Sequence, residues 1–226
     1  IADIVNTNAN FSTLKAAVDK AGISSALSSG TLTVFAPDNA AFEAAGITAS
    51  TLQSLTAAQV ADILSYHVLP VVVRSSDVPV SDAVVTLQGK KVFASRNVNG
   101  VFVNGIKVKS ADISASNGVI HAIENVLIPP TQTIQQIAAG NPNLSLLVAA
   151  VSKAGLLNAI GAEGKLTVFA PTNAAFNAAG FNSAADINAA STNLITTVVS
   201  YHVLGTNVFA SDLVNGATAT TLQGGT

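Results

Sequence analysis

Three histidines are the side chains of this 226-residue chain suited to carry a proton near neutral pH. Two of them recur in one pentapeptide, Ser-Tyr-His-Val-Leu, which sets Tyr66 beside His67 and again Tyr201 beside His202. The third, His121, lies within Val-Ile-His-Ala-Ile. A phenol next to an imidazole could serve acid–base chemistry, and histidines could hold a metal, but neither pattern is completed. No His-x-His or His-x-x-x-His spacing occurs, so no metal site is expected. No cysteine is present, which removes thiolate ligands, disulfides and a cysteine nucleophile. No Gly-x-Ser-x-Gly places a serine on a strained turn. The 12 acids form no cluster that suggests the paired carboxylates of glycosidic cleavage. The expectation is a protein without catalytic residues, cofactor or metal. His67 and His202, flanked by apolar residues on a helical face, read as buried, hydrogen-bonded core histidines. So does His121, which alternation puts with Val119 and Ile123 on the face opposite Ile120.

Charge narrows the partners. Residues 1–82 hold seven acids against three bases, whereas residues 83–111 hold Lys90, Lys91, Arg96, Lys107 and Lys109 and no acid. This stretch reads first as a solvated hairpin face and second as a docking patch for an anionic partner such as an acidic polysaccharide. Nucleic acid is not expected, because there is no basic run, no set of stacking aromatics and a net charge of −2. Hydrophobic residues make up 49% and charged ones 10%, a balance opposite to that of disordered chains. The longest weakly polar stretch, 144–160, is interrupted by Ser145, Ser152, Lys153 and Asn158, so no transmembrane segment is expected. Ile1 in the place of an initiator methionine is expected of a processed chain.

The elements that position these residues come twice. Leu-Thr-Val-Phe-Ala-Pro-Asp-Asn-Ala-Ala-Phe from Leu32 recurs from Leu166 with Thr172 in place of Asp38. The stretch from Asn10 to Gly22 aligns with that from Asn143 to Gly155, and Thr-Leu-Gln-Gly follows each pentapeptide, from Thr86 and from Thr221. A repeat this long means tandem domains, and the prolines 129 and 130 mark the boundary, giving domains 1–130 and 131–226. The first copy continues well past its Thr-Leu-Gln-Gly. The second stops soon after, so its C-terminal strands are expected to be missing, exposing a strand edge and part of the core.

Within a copy, Phe11, Leu14, Val18 and Ala21 form a one-sided helical stripe that Gly22 stops, and Leu144, Leu147, Val151 and Ala154 repeat it before Gly155. Asn10 and Asn143 fit both a helix cap and, with Ser12 and Ser145, a glycosylation pattern; the cap explains the position better. Residues 31–35 read as a strand, Asp38 or Thr172 as the cap of a short helix, and Asn39 and Asn173 as backbone-bonding corner residues. Residues 59–69 read as a helix carrying Tyr66 and His67 near its end. Strands follow at 84–87, 91–95, 101–103, 106–108 and 119–123, with Asn-Gly turns at Asn99, Asn104 and Asn117. Helices first and antiparallel strands afterwards make an α+β domain.

These motifs together resemble the fasciclin (FAS1) domain family. Its first signature is similar to the Thr33–Phe42 and Thr167–Phe176 stretches, its tyrosine–histidine motif to Tyr66-His67 and Tyr201-His202, and its second signature to Asn117–Pro129. The resemblance implies a β-wedge, two packed antiparallel sheets with several flanking helices, in two tandem copies of which the second is C-terminally incomplete. It implies a secreted, periplasmic or cell-surface protein of adhesion or matrix interaction, whose partner is a cell-surface or matrix protein or a polysaccharide. It also implies partner binding through Tyr66, His67, Asp112 and Ile113 in the first copy, and through Tyr201 and His202 in the second. No Arg-Gly-Asp tripeptide is present. The alternative is a carrier that holds a small apolar ligand or a glycan between the domains.

Overall fold

The computed structural model describes residues 1–78, 81–162 and 164–226. These separate into two compact units, residues 1–129 with 209–212, and residues 130–208 with 213–226. The first begins with helices α1 (Ala2–Thr7) and α2 (Ser12–Ala21), followed by strand β1 (Leu32–Pro37). Helices α3 (Asn39–Ala44), α4 (Ala49–Ser54) and α5 (Ala57–Ser65) come next. The unit ends in strands β2 (Val68–Leu69), β3 (Ser81–Val85), β4 (Lys91–Asn97), β5 (Gly100–Val103), β6 (Ile106–Ala115) and β7 (Gly118–Ile123).

The α+β class is as expected, with one difference in the sheet. Its strand order is β2-β1-β7-β6-β5-β4-β3, and β1 pairs with β7 in parallel, Leu32 opposite Gly118 and Pro37 opposite Ile123. The sheet is therefore mixed where the sequence reading has antiparallel strands alone. A parallel pair needs a long crossover, and the helices and hairpins between β1 and β7 supply it. The hairpins themselves are antiparallel. At the β5–β6 turn, Asn104 and Gly105 both take positive φ, 47° and 78°, the geometry an Asn-Gly hairpin requires.

Strand β6 is longer than its pattern suggests because it serves both halves of the sheet. Ile106 and Lys107 pair with β5, Val108 to Ala115 with β7, and the register shifts twice between Val108 and Ile113. The two sheets expected are thus two halves of one hydrogen-bonded series, bent at β6. Between the halves lies a core of Phe35, Tyr66, Leu69, Val92, Val103, Val108, Ile123 and Leu127. The opposite face of β1 and β7, carrying Leu32, Val34, Ile120 and Ala122, packs against helix residues Phe11, Leu14, Val18 and Phe42. Each Val, Leu, Ile or Phe among these taken fully out of water contributes roughly 1.5–3 kcal/mol.

The second unit contains α6 (Ile134–Ala139), α7 (Ser145–Lys153), α8 (Leu157–Gly161), β8 (Thr167–Val168), α9 (Asn173–Ala178), α10 (Ala184–Ala189), α11 (Thr192–Tyr201) and β9 (Val203–Leu204). Its β8 and β9 form an antiparallel pair like β1 and β2. Its core gathers Leu146, Leu147, Val151, Ile160, Phe176, Ile187, Ile195 and Val199. Among the described residues no helix is long and apolar enough to cross a membrane.

The repeated eleven residues build a corner in both units. Asp38 and Thr172 cap the following helices, accepting from the N–H of Ala41 and Ala175. Asn39 Oδ1 accepts from the Thr13 N–H at 3.0 Å, and its Nδ2 donates to the Ala9 carbonyl. Asn173 does the same with the Leu146 N–H and the Pro142 carbonyl. These asparagines supply the acceptor that α2 and α7 lack, since neither helix has a side-chain cap of its own. Asn10 and Asn143 are therefore not caps. Asn8 and Asn141 hold the preceding turns by accepting their N–H groups, and both Asn10 and Asn143 are exposed.

Candidate functional site

Tyr66 and His67 sit one step later in the structure than the helical pattern suggests. The Thr56–Gln59 capping box starts α5, which ends at Ser65, and Val68-Leu69 turns away to pair with Thr33 and Val34. Both side chains point inward at this corner. His67 Nδ1 lies 2.8 Å from the Ile63 carbonyl, and its Nε2 accepts the Leu127 N–H at 2.9 Å. The ring is thus a neutral Nδ1–H tautomer with both nitrogens used. Burial lowers its pKa from 6.5 to about 4, against the smaller opposing pull of the Ile63 carbonyl. The Tyr66 hydroxyl donates to the Lys91 carbonyl and accepts from Asn104 Nδ2, each at 2.9 Å. Burial pushes the Tyr66 phenol up, and the Asn104 hydrogen bond moderates this.

His121 and Asp112 form a second network, with a residue that the sequence does not single out. The His121 ring stacks on Phe35 at 5.7 Å, donates from Nε2 to the Val73 carbonyl at 2.8 Å, and accepts the Asp112 N–H on Nδ1 at 3.2 Å. The Asp112 carboxylate accepts the Ser75 N–H at 3.0 Å and the Ser75 hydroxyl as well. Burial alone would raise the Asp112 carboxyl; the Ser75 hydrogen bonds, with His121 and Arg74 nearby, bring it below its usual value. Asp112 adopts φ 59°, a left-handed conformation at the irregular stretch of β6.

Serine, histidine and aspartate meet here, but their wiring is not that of a nucleophilic triad. Ser75 donates to the carboxylate rather than to the imidazole, and both imidazole nitrogens are already engaged. Nothing in the local sequence around Ser75 signals this, because its partners lie on β6 and β7. Ile113, next to Asp112, is half-buried against the helix-side core. Phe35 links the two networks, its N–H donating to the His67 carbonyl at 2.9 Å while its ring stacks on His121. Tyr66 and His67 are interior; Asp112 and Ile113 lie at the bent strand.

In the second unit the same pentapeptide has different surroundings. His202 Nδ1 lies 2.7 Å from the Val198 carbonyl, and the Phe169 N–H donates to the His202 carbonyl, as in the first unit, but the ring is only half-buried, so the buried core histidine expected here is not found. Tyr201 is 48% exposed where Tyr66 is 1% exposed, and its hydroxyl donates to the Thr226 carbonyl. The repeated Thr-Leu-Gln-Gly has one role in both units. The N–H of Leu87 bonds the Val68 carbonyl, and that of Leu222 the Val203 carbonyl, each at 2.8 Å.

A cavity of about 380 Å³ lies within the second unit, among α6, α7, α8 and β8, and Gln135 is its one polar lining residue. The basic residues of the first unit divide between faces. Strand alternation puts Lys91 with Phe93 on one face of β4 and Arg96 with Val92 and Ala94 on the other. Pairing of Phe102 with Ser95 and Lys107 brings Lys107 to the Lys91 face. Lys109 forms an ion pair with Asp38 at 2.9 Å, and Lys90 lies in the β3–β4 turn. Among the described residues, no three acidic or histidine side chains gather as a metal set.

The strand–corner–helix signature stands in both units, and the first adds a buried tyrosine–histidine corner and a sheet in which Gly118–Ile123 pairs with β1: an α+β domain written twice. The fasciclin domain family matches residues 9–129 and 142–226, and the chain belongs to it. The chain is 30% identical over 228 residues to periostin of Homo sapiens, covering 99% of this chain and 26% of periostin. It is 42% identical over 135 residues to Protein sll1483 of Synechocystis sp., covering 58% of this chain and 73% of that protein. The solved FAS1 domain pair of the insect cell adhesion molecule fasciclin I is similar with a TM-score of 0.44 and 17% identity, covering 94% of this chain and 81% of that one.

Proposed function

We propose that this chain is a non-catalytic, extracellular or cell-surface adhesion module made of two tandem domains, 1–130 and 131–226. One observation carries the reading. The groups best suited to chemistry, His67, His121, Tyr66 and Asp112, spend their hydrogen-bonding capacity on backbone and on one another. Their work is architectural, which leaves surface recognition as the function that family membership supports. The Lys91–Lys107 face of the sheet is the surface we assign to an anionic matrix partner, and Asp112–Ile113 the neighbouring contact at the bent strand. Tyr66 and His67 act by holding that strand region from within. Two similar domains raise avidity when a partner repeats.

The test is attachment of cells, and of beads carrying an acidic polysaccharide, to surfaces coated with the chain. Attachment should rise steeply with coating density and fall at least about threefold for Lys91→Glu/Lys107→Glu, which changes exposed charges only. Attachment independent of density and of both lysines would overturn the proposal. The carrier reading has one observation in its favour, the apolar cavity, but that cavity lies inside the second unit.

A further inference from the structure

We propose that Asn99 is a self-modification site, where the side-chain amide is lost to water and a carboxylate is left beside Lys107 on the basic face of the sheet. Four Asn-Gly pairs occur in the chain, at Asn99, Asn104, Asn117 and Asn215. An asparagine before glycine is open to this reaction because the attacking nitrogen belongs to the one residue without a Cβ to crowd the ring that forms. The structure treats the pairs differently. Asn104 Oδ1 accepts the Phe93 N–H at 2.8 Å, and its Nδ2 donates to the Tyr66 hydroxyl at 2.9 Å. Asn117 Nδ2 donates to the Leu27 carbonyl at 2.9 Å, and Gly118 lies against the Leu32 backbone. Turning either side chain toward the next nitrogen would break these bonds. Asn99 is exposed in the Val98-Asn99 turn between β4 and β5. Its main-chain N–H donates to Asn97 Oδ1 at 2.8 Å, and among the described residues its side chain makes no hydrogen bond.

The chemistry needs only water. The Gly100 nitrogen, its proton given up to solvent base, attacks Asn99 Cγ; the Cγ–Nδ2 bond breaks, and Nδ2 leaves as ammonia with a proton from water. The five-membered imide then takes up water at either carbonyl and opens to aspartate or to its β-linked isomer. One water is consumed and one ammonia released, and nothing is oxidised or reduced. Lys107 sets this turn apart. A Cβ on Gly100 would meet Lys107 Cε at 3.7 Å, so the lysine side chain lies along Gly100. Its ammonium favours the nitrogen anion that attacks and then the carboxylate that forms. Asn215 and Gly216 are exposed too, with nothing within 4 Å of a Cβ on Gly216, and make an unassisted comparison in the same chain. The new carboxylate offsets the charge of Lys107, so attachment to an anionic partner weakens as the chain ages. That consequence rests on the adhesion reading; the chemistry does not.

The 226-residue chain is held at neutral pH and physiological temperature, and peptide maps by mass spectrometry follow each Asn-Gly pair. Asn99 should convert at least about tenfold faster than Asn104 and Asn117, with its β-linked product labelled by an isoaspartyl methyltransferase. Lys107→Gln, a change at an exposed position, should slow Asn99 at least about threefold and leave Asn215 unchanged. Conversion of Asn99 no faster than that of Asn104, or a rate at Asn99 indifferent to Lys107, would overturn the proposal. Asn99→Gln keeps an amide whose longer side chain closes a ring far more slowly. Attachment of beads carrying an acidic polysaccharide then reads the consequence: the aged parent should attach at least about twofold less than when fresh, and aged Asn99→Gln should not change. Equal attachment of the two aged chains, where the fresh chain shows the lysine effect, would refute the charge switch. A fresh chain without that effect sinks the adhesion reading instead, and the modification then stands or falls on the mass maps.

Discussion

Acidification should destabilise the first unit through His67. The folded ring is neutral, with its Nδ1 proton committed to Ile63 and its Nε2 lone pair to the Leu127 N–H. Protonation must break the second bond and bury a charge, so the unfolded chain binds the proton more readily. Since burial lowers the ring from 6.5 to about 4, the stabilising effect is complete above 6.5 and is lost as pH falls from there toward 4. The gap corresponds to about 3 kcal/mol in full, and to about 2 kcal/mol by about pH 5. Urea unfolding between about pH 7.5 and about pH 5 checks this. Two tyrosines and no tryptophan are present, so a Tyr201→Phe background makes Tyr66 fluorescence the probe of the first unit. Stopping near pH 5 keeps Asp112 out of the measurement, because its carboxyl is held below the usual range and its contribution is lost only at lower pH. His67→Gln should be less stable at neutral pH and should lose most of the acid slope. An equal slope in parent and variant, or an NMR titration placing the ring near 6.5, would refute the reasoning.

Three further outcomes follow from the geometry. Tyr66→Phe removes two hydrogen bonds from a buried hydroxyl and should cost about 1–3 kcal/mol, while Tyr201→Phe should cost less than about 0.5 kcal/mol; chemical denaturation of each variant compares them. Asn39→Ala and Asn173→Ala each strip a helix start of its acceptor and should cost about 1–2 kcal/mol in their own units, resolved by amide exchange. Gly118→Ala within the chain forces the β1 and β7 backbones apart and should destabilise the first unit by about 3 kcal/mol or more, seen as a lowered Tm; an unchanged Tm would contradict the parallel register.

Much of the candidate site was legible in the residues, but not its wiring. Apolar flanks on His67 and strand alternation around His121 point to satisfied interior rings, and both rings are interior. The Asn39 and Asn173 corner was legible as backbone hydrogen bonding, yet its partners, the starts of α2 and α7, come from distant sequence. Asn10 and Asn143 misled because a cap is judged by what precedes a helix, and here the cap arrives from another helix. The helix expected to run to Leu69 ends at Ser65, since Val68 and Leu69 gain more from the β1 edge than from another helical turn. Asp112, Ser75 and His121 could not be grouped in advance, as bulged register and left-handed backbone leave no periodic trace.

By itself the sequence determined the duplication, the order of helices and hairpins, the Asn-Gly turns and the corner that each signature makes. These depend on neighbours within a few residues, whose torsional preferences and caps act locally. The tertiary structure alone decided that identical pentapeptides bury Tyr66 and expose Tyr201, and that β1 takes β7 in parallel. Burial and hydrogen-bond satisfaction depend on groups far along the chain, and two copies of one motif differ wherever those distant partners differ.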